Sequence, residues 1–418
     1  SDLDSAAEAA AAGRSLASAR SGELSPKLTF VAHAADDDAA AVARLLKIMC
    51  KMVLRKEEAV PKIFLDSDDL AQLPLLLQQV VSCDFLTVIL TRSFFTRPSS
   101  MCELCAAFRR GIPIRCIEVP SEDIGIVVGQ ELEPQVEPWL SDECMLVVQR
   151  NGFERSDVLA AMQYALESKR CRFDPLASQA VQWSQVRVLA EGMPNVTLSV
   201  PEPEITYSSY ESRFDRWAAY VSYRRGSRAD AAIAHVVKML LQAALPDGCA
   251  VFLDVDNLAH AKSTHDALCR SSNAVFLLSA ETLRQPAVVA EVVTAAQAGV
   301  HMVPVPVAKD FDIKKYAGEE FYFALSAEFD GAGKAFFREK GITFSEIAKS
   351  FRKLFSVEAQ CFIPSSSEVI QRAAIQELCA RLHRPSGQPS GQPAGGQPEP
   401  ELPPKGQRSW SGRKEIDR

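Results

Sequence analysis

Short runs of consecutive apolar residues alternate with longer amphipathic segments along this chain, and the alternation occurs twice. The runs of the first half are 28–32, 63–65, 85–90 and 112–119, and those of the second half are 218–223, 250–253, 274–278 and 300–307. Continuous apolar runs of this length predict parallel strands that are buried on both faces of a sheet. We therefore expect an α/β protein with two tandem doubly wound parallel-sheet domains.

Apolar residues recur at helical spacing between these runs. The acidic cluster Asp36-Asp37-Asp38 is typical of a helix start and predicts a helix through about Leu54. Ser365 and Glu368 have the spacing of a capping box and predict the start of another helix. Four further helices are predicted, one carrying Leu73 to Val81, one from about Ser100, and two over Asp157–Ser168 and Phe344–Phe355.

A sequence repeat relates the two halves. Phe64-Leu65-Asp66-Ser67-Asp68-Asp69-Leu70 recurs 188 residues later as Phe252-Leu253-Asp254-Val255-Asp256-Asn257-Leu258. The offset persists to Glu103 and Glu291, so that 37 residues separate the first Asp from the Glu in both copies (103 − 66 and 291 − 254). The duplicated polar positions are therefore the first candidates for chemistry.

The composition of the chain predicts its boundaries. We expect a flexible segment over 1–26, a first repeat over 27–171, a connection over 172–213 and a second repeat over 214–356. A C-terminal helix is expected over 357–384, and the Gly/Gln/Pro-rich tail 385–418 has the composition of a disordered segment. The chain does not begin with Met, which predicts that it is part of a longer protein.

Charge and cysteine usage narrow the classes of partner. The net charge is −7 without a long basic run, which argues against nucleic-acid binding. No apolar run approaches the length of about 18 residues that a membrane span needs, so no membrane contact is expected from this segment. The 11 cysteines show no disulfide framework, which favours reduced thiols and a cytoplasmic location.

Several motifs resemble the Toll/interleukin-1 receptor (TIR) domain family. Tyr220-Val-Ser-Tyr-Arg-Arg-Gly-Ser227 is similar to the opening box of that family, and Phe30-Val-Ala-His-Ala-Ala-Asp-Asp37 to its His-bearing variant. Thr91 to Leu104 resembles the segment that joins the third strand to a helix carrying Glu-Leu, and Gly111-Ile-Pro-Ile114 the approach to the fourth strand. The resemblance covers about 27–170 and 215–356 and implies two tandem flavodoxin-like domains.

The resemblance also implies a candidate activity. Some TIR domains cleave NAD+ at the nicotinamide–ribose bond with a glutamate at the position of Glu103 and Glu291. A carboxylate there could offset the positive charge that develops on the ribose. The competing interpretation is an ordinary acidic residue in the first turn of a helix. One departure favours it: the Trp-Cys pair that usually precedes this glutamate is replaced by Ser99-Ser100 and Ala287-Val288.

Basic residues follow the first strand of the second repeat. Arg224 and Arg225 could hold the phosphates of a dinucleotide, together with Ser222 and Ser279. A solvated basic loop is the competing interpretation. In the first repeat the same region carries Asp36-Asp37-Asp38, which would repel an anionic substrate. The second repeat is therefore expected to be the better binder of NAD+.

The acidic turns admit two interpretations. The resemblance implies loops that mediate TIR–TIR contacts, with Asp66, Asp68 and Leu70 in the first repeat and Asp254, Asp256 and Leu258 in the second. Physically, a solvated acidic turn is favoured over a metal site because no further ligands of suitable spacing are present. Cys102 and Cys105 are expected to be buried structural thiols, because no second pair lies nearby to complete a zinc site.

Three functional hypotheses remain open. The first is an enzyme that hydrolyses or cyclises NAD+, with Glu291 or Glu103 as the catalytic residue and no cofactor other than NAD+ as the substrate. The second is a non-catalytic scaffold that binds other TIR domains or itself through the acidic loops. The third is a flavodoxin-type domain that binds a nucleotide without turning it over.

Overall fold

Two parallel β-sheets form the framework of the protein. The computed structural model describes residues 29–33, 37–53, 63–65, 73–120, 124–127, 130–191, 216–246, 249–257 and 263–383. The described residues belong to one compact unit that extends to His383. The predicted α/β class with two parallel sheets is confirmed.

The first sheet has five parallel strands in the order β2-β1-β3-β4-β5. Val31 on the first strand lies opposite Leu65 on one side and Thr87 on the other. The strands are β1 (Thr29–Ala32), β2 (Ile63–Leu65), β3 (Phe85–Leu90), β4 (Ile114–Glu118) and β5 (Arg170–Arg172). The helices of this half are α1 (Asp37–Val53), α2 (Leu73–Ser82), α3 (Arg92–Thr96), α4 (Pro98–Arg109), α5 (Leu132–Val136), α6 (Asp142–Arg150), α7 (Arg155–Glu167) and α8 (Gln179–Ala190).

The second sheet repeats this order with four strands, β7-β6-β8-β9. Its strands are β6 (Ala219–Ser222), β7 (Val251–Phe252), β8 (Asn273–Leu278) and β9 (His301–Pro306). Its helices are α9 (Arg228–Ala244), α10 (Asp254–Asn257), α11 (Thr264–Cys269), α12 (Pro286–Ala298), α13 (Ile313–Ala317), α14 (Glu319–Ala324), α15 (Gly331–Glu339), α16 (Phe344–Phe355) and α17 (Glu368–Arg381). Thr282–Arg284 and Leu325–Glu328 form short 3-10 helices.

The two sheets share one of their hydrophobic cores. Alternate residues of β3 point to opposite faces, so that Ile89 joins one core and Val88 another. The outer face of each sheet has its own core, whereas a third core runs from one repeat into the other where α1 packs against α9. Leu45 and Val237, from these two helices, are both fully buried in it. The expectation that each repeat buries a separate core is therefore wrong for the inner faces.

Helix α8 lies within the segment 172–213 that was predicted to be only a connection. Val186 and Leu189, three residues apart, bury one face of α8 in the shared core. The amide of Gln182 donates to the carbonyl oxygen of Pro175 at 3.1 Å and to that of Ala177 at 2.9 Å, which fixes the chain before the helix. This part of the segment is a structural element of the junction.

The C-terminal helix α17 connects the two repeats. Nζ of Lys51 on α1 donates to Oε2 of Glu368 at 2.6 Å, and Arg44 donates to the carbonyl of Ser366 at 2.8 Å. Beyond the other end of α17, the backbone N–H of His383 donates to the side chain of Asn273 on β8 at 2.8 Å. The helix is therefore held at one end by the first repeat and at the other by the second.

Most predicted elements are confirmed, with shifts of one or two residues at their ends. Seven of the eight apolar runs lie wholly within the described residues and contain strands, and the eighth contains β1. The predicted capping box is wrong, because α17 begins at Glu368 with Ser367 as its N-cap and no side-chain capping bond. The segments 1–26 and 385–418, for which flexibility and disorder were predicted, lie outside the described residues.

Candidate functional site

Glu291 lies in the second turn of α12, which follows β8 at the carboxyl edge of the second sheet. Its side chain is buried and only 7 % of the residue is exposed. Oε1 accepts hydrogen bonds from the hydroxyl of Tyr220 at 2.9 Å and from Nη2 of Arg225 at 2.5 Å. Oε2 accepts a hydrogen bond from the hydroxyl of Ser222 at 2.6 Å. Both carboxylate oxygens therefore have strong donors from β6 and the loop that follows it.

Arg225 joins two carboxylates of the second repeat. Its Nε donates to Oδ2 of Asp254 while its Nη2 donates to Glu291. Burial lowers the pKa of Arg225, but the negative charges of Glu291 and Asp254 outweigh this effect and raise it above the usual value. The guanidinium group is therefore charged and holds the acidic turn, the β6–α9 loop and α12 together.

Tyr220 supplies the third donor. Burial, followed by the nearby charge of Glu291, raises the pKa of Tyr220 well above its usual value, so its hydroxyl stays protonated and donates. Tyr220 and Ser222 are two residues apart on one strand, so their side chains point to the same face of the sheet. Period-two spacing on a strand was therefore the signal that could have identified Tyr220 from the sequence.

The predicted nucleotide-binding residues do not all meet at Glu291. Ser222 and Arg225 contact its carboxylate directly. Arg224 instead donates through Nε to Oδ2 of Asp230 at 2.6 Å, on the first turn of α9. The hydroxyl of Ser279 lies 2.9 Å from that of Thr282 and stabilises the turn after β8.

The acidic turn of the second repeat is packed inside the protein. Asp256 accepts hydrogen bonds from Nζ of Lys238 at 2.6 Å and from the backbone N–H of Gln179, the first residue of α8, at 2.6 Å. Asp254 is buried and paired with Arg225. The prediction of a solvated acidic turn is therefore wrong for the second repeat, because ion pairs with distant residues draw these carboxylates inward. Asp66, Asp68, Leu70 and Leu258 lie outside the described residues.

Glu103 lies in α4 of the first repeat with only 2 % of the residue exposed. The strands β1 and β6 correspond at an offset of 190 (219 − 29 and 222 − 32). The sequence positions matching Tyr220, Ser222 and Arg225 are therefore Phe30, Ala32 and Ala35, none of which has a side-chain donor. The first repeat conserves the glutamate of the second but lacks its three partners.

Two smaller predictions concern cysteines and metals. Cys102 and Cys105 are buried, and burial raises the pKa of each thiol to about 12, which agrees with a structural role. Within the described ranges, no group of three or more His, Cys, Asp or Glu side chains could hold a metal ion.

Comparisons with known proteins add no family to this picture. No protein-family model matches the chain, and no curated protein matches it. In the part of the chain that the structure describes, no helix combines the length and apolar character needed to cross a membrane.

Proposed function

We propose that this chain is a TIR-like signalling protein that acts by association between proteins and does not cleave NAD+. The TIR resemblance of the motifs at 220–227, 30–37 and 91–104 supports the signalling class. The strand order 2-1-3-4-5 of the first sheet supports it further, because this is the order of flavodoxin-like folds.

The observation that carries the proposal is the saturated carboxylate of Glu291. To stabilise a ribosyl cation, a carboxylate must accept hydrogen bonds from ribose hydroxyls or lie beside the developing charge. In this structure Tyr220, Ser222 and Arg225 occupy those directions. Arg225 also places a positive charge 2.5 Å from Oε1, which opposes the formation of a second cation there. Glu291 therefore suits a structural role.

The two repeats support association unequally. In the second repeat, Asp254 and Asp256 are occupied by Arg225, Lys238 and α8. In the first repeat, helix α2 exposes 43 % of Leu75 and 37 % of Val81 to solvent. Exposed apolar side chains beside a loop of expected contact residues suit a protein–protein surface. We assign the association surface to the first repeat, over the 66–73 loop and α2.

Sedimentation velocity of the purified chain and two matched variants tests this assignment. We expect the protein to self-associate as its concentration rises, and Leu75→Glu to remain monomeric because a charge would be buried in the contact. Val188→Glu is the control, since Val188 is equally exposed, at 44 %, on a different helix. A wild-type chain that stays monomeric, or equal loss of association in both variants, would contradict the proposal.

Cleavage of NAD+ is the second candidate function, and the place of Glu291 favours it. The residue lies at the carboxyl edge of a parallel sheet, where ligands bind in open α/β folds. Arg225 is partly exposed, so rotation of this one side chain would remove the positive charge from the carboxylate. Release of nicotinamide from NAD+ that disappears in Glu291→Gln would support this candidate.

A further inference from the structure

A cavity of about 680 Å³ lies between the two repeats. The first repeat lines it with Thr91, which directly follows β3, and with Ser93 and Asp38. The second repeat lines it with the β6–α9 loop and the first turn of α9. Small-molecule sites in proteins have volumes of about 300–1,000 Å³ and commonly lie at domain junctions. The cavity therefore has the size and position of a ligand site, and neither repeat could form it alone.

The cavity is positively charged. Three guanidinium groups line it, those of Arg224, Arg225 and Arg228, against the single carboxylate of Asp38. Arg224 is held by its Nε, which donates to Asp230. Its two Nη groups have no hydrogen-bond partner within the described part of the chain. An arginine anchored on one edge and open on the other presents a planar fork that matches phosphate oxygens.

The backbone adds donors to the same wall. Ser227 is the N-cap of the 17-residue helix α9, and its hydroxyl accepts from the N–H of Asp230. The N–H of Ala229, which lines the cavity, belongs to the first turn and has no acceptor within the helix. Gly226 adopts a φ of 85°, which allows the chain to turn sharply from the strand into the helix. The helix dipole therefore reinforces the arginines in attracting an anion.

The first repeat contributes hydroxyl groups to the opposite wall. The side chains of Thr91 and Ser93 lie 3.2 Å apart, at the start of α3. Both residues line the cavity. Hydroxyl groups can donate to phosphate oxygens or bind the polar groups of an attached ribose. The two walls therefore offer complementary chemistry for a ligand that carries a phosphate group.

We propose that this junction cavity binds a phosphate-bearing small molecule, which contacts both repeats at once. Arg224, Arg228 and the first turn of α9 hold the phosphate, and the hydroxyls of Thr91 and Ser93 contact the ligand from the other side. Binding stabilises the arrangement of the two repeats, because the ligand favours the state in which both walls are in place. This site is independent of the chemistry at Glu291, which does not line the cavity.

Isothermal titration calorimetry of the full chain with ADP, inorganic pyrophosphate and adenosine tests the proposal. We expect ADP or pyrophosphate to bind and adenosine to bind at least tenfold more weakly. Stronger binding of ADP identifies a nucleotide, whereas equal binding of pyrophosphate identifies a free phosphate compound, and either supports the site. Absence of binding by both phosphate compounds, or adenosine binding as tightly as ADP, would overturn it.

Variants on each wall test whether the site is shared. Arg224→Gln removes the open fork, and we expect it to weaken binding at least tenfold. Ser93→Asp places a negative charge on the exposed first-repeat wall and is expected to do the same, whereas the neutral Ser93→Asn is expected to change affinity less than threefold. Circular dichroism and thermal unfolding verify that each variant is folded. Equal affinity in Ser93→Asp and Ser93→Asn would show that the first repeat takes no part and would overturn the shared site.

Discussion

Nη2 of Arg225 lies 2.5 Å from Oε1 of Glu291, forming a largely buried ion pair across the carboxyl edge of the second sheet. The same guanidinium group contacts Asp254 through its Nε. A single cation therefore compensates two carboxylates that are separated by 37 residues in sequence. The stability of this edge and the accessibility of Glu291 both depend on Arg225.

Removal of Arg225 should destabilise the protein strongly. Arg225→Gln leaves Glu291 and Asp254 buried without their cation, and we expect the free energy of unfolding in urea to fall by about 3 kcal/mol. The matched control is Arg270→Gln, which breaks the exposed ion pair with Asp266 and should cost under about 0.5 kcal/mol. Equal losses in the two variants would show that the network at Glu291 contributes no special stability.

The contact of Asp256 with α8 should control the local stability of that helix. Asp256→Ala removes the acceptor for the N–H of Gln179 and leaves Lys238 without its carboxylate, and we expect a loss of about 2–3 kcal/mol. Hydrogen exchange should accelerate in Gln179–Ala190. Asp312→Ala, which removes an N-cap elsewhere, should cost about 1 kcal/mol and leave exchange in α8 unchanged. Unchanged exchange of α8 in Asp256→Ala would contradict this prediction.

Stability should decrease in mildly acidic solution because of His235. Burial lowers the pKa of His235 below 6.5, although the charge of Asp256 opposes the effect and that of Lys238 adds to it. As the pH falls below about 6.5, the unfolded chain takes up a proton that the native chain does not bind, so stability is lost towards the native pKa. We expect the slope of unfolding free energy between pH 7.5 and 5.5 to be smaller in His235→Gln. The exposed control His265→Gln should retain the wild-type slope, and a wild-type slope in His235→Gln would contradict the prediction.

Thiol reactivity should follow burial. Only Cys269 and Cys361 are exposed among the 11 cysteines, and Cys379 is half-buried. Burial raises the pKa of Cys50, Cys83, Cys102 and Cys105 to about 12, so these thiols are protonated at pH 8. With iodoacetamide and mass spectrometry, we expect fast alkylation at Cys361 and Cys269 and slow alkylation at the buried thiols. Rapid modification of Cys102 in the folded protein would contradict its structural role.

The strands of both sheets could be predicted because burial on both faces leaves an unbroken apolar run. Phe85–Leu90 was predicted residue for residue on this basis. Strand β5 was not predicted, because Arg170-Cys171-Arg172 buries only its central residue and therefore lacks such a run. Helix α8 was missed for a different reason, since its buried face is covered by α1 from elsewhere in the chain. Its pattern carried a weak amphipathic signal beside a proline-rich stretch.

The residues of the site could be predicted better than their contacts. The repeat identified Glu291 and Asp254, and the basic loop identified Arg225. No local pattern indicates that Arg225 pairs with carboxylates 29 and 66 residues away (254 − 225 and 291 − 225). For the same reason the acidic turn was expected in solvent, although Lys238 and α8 hold Asp256 inside. The folded chain sets these partnerships, and they decide whether a carboxylate is available to a ligand.

The central claim is that Glu291 stabilises the fold and does not cleave NAD+. It is tested most directly by chromatographic measurement of nicotinamide released from NAD+ by the purified full chain, both dilute and at high concentration with a crowding agent. The variants Glu291→Gln and Glu103→Gln are measured in parallel. We predict no release above the buffer level in any sample. Nicotinamide release by the wild-type chain that is lost in Glu291→Gln would contradict the claim and establish an NAD+-cleaving enzyme.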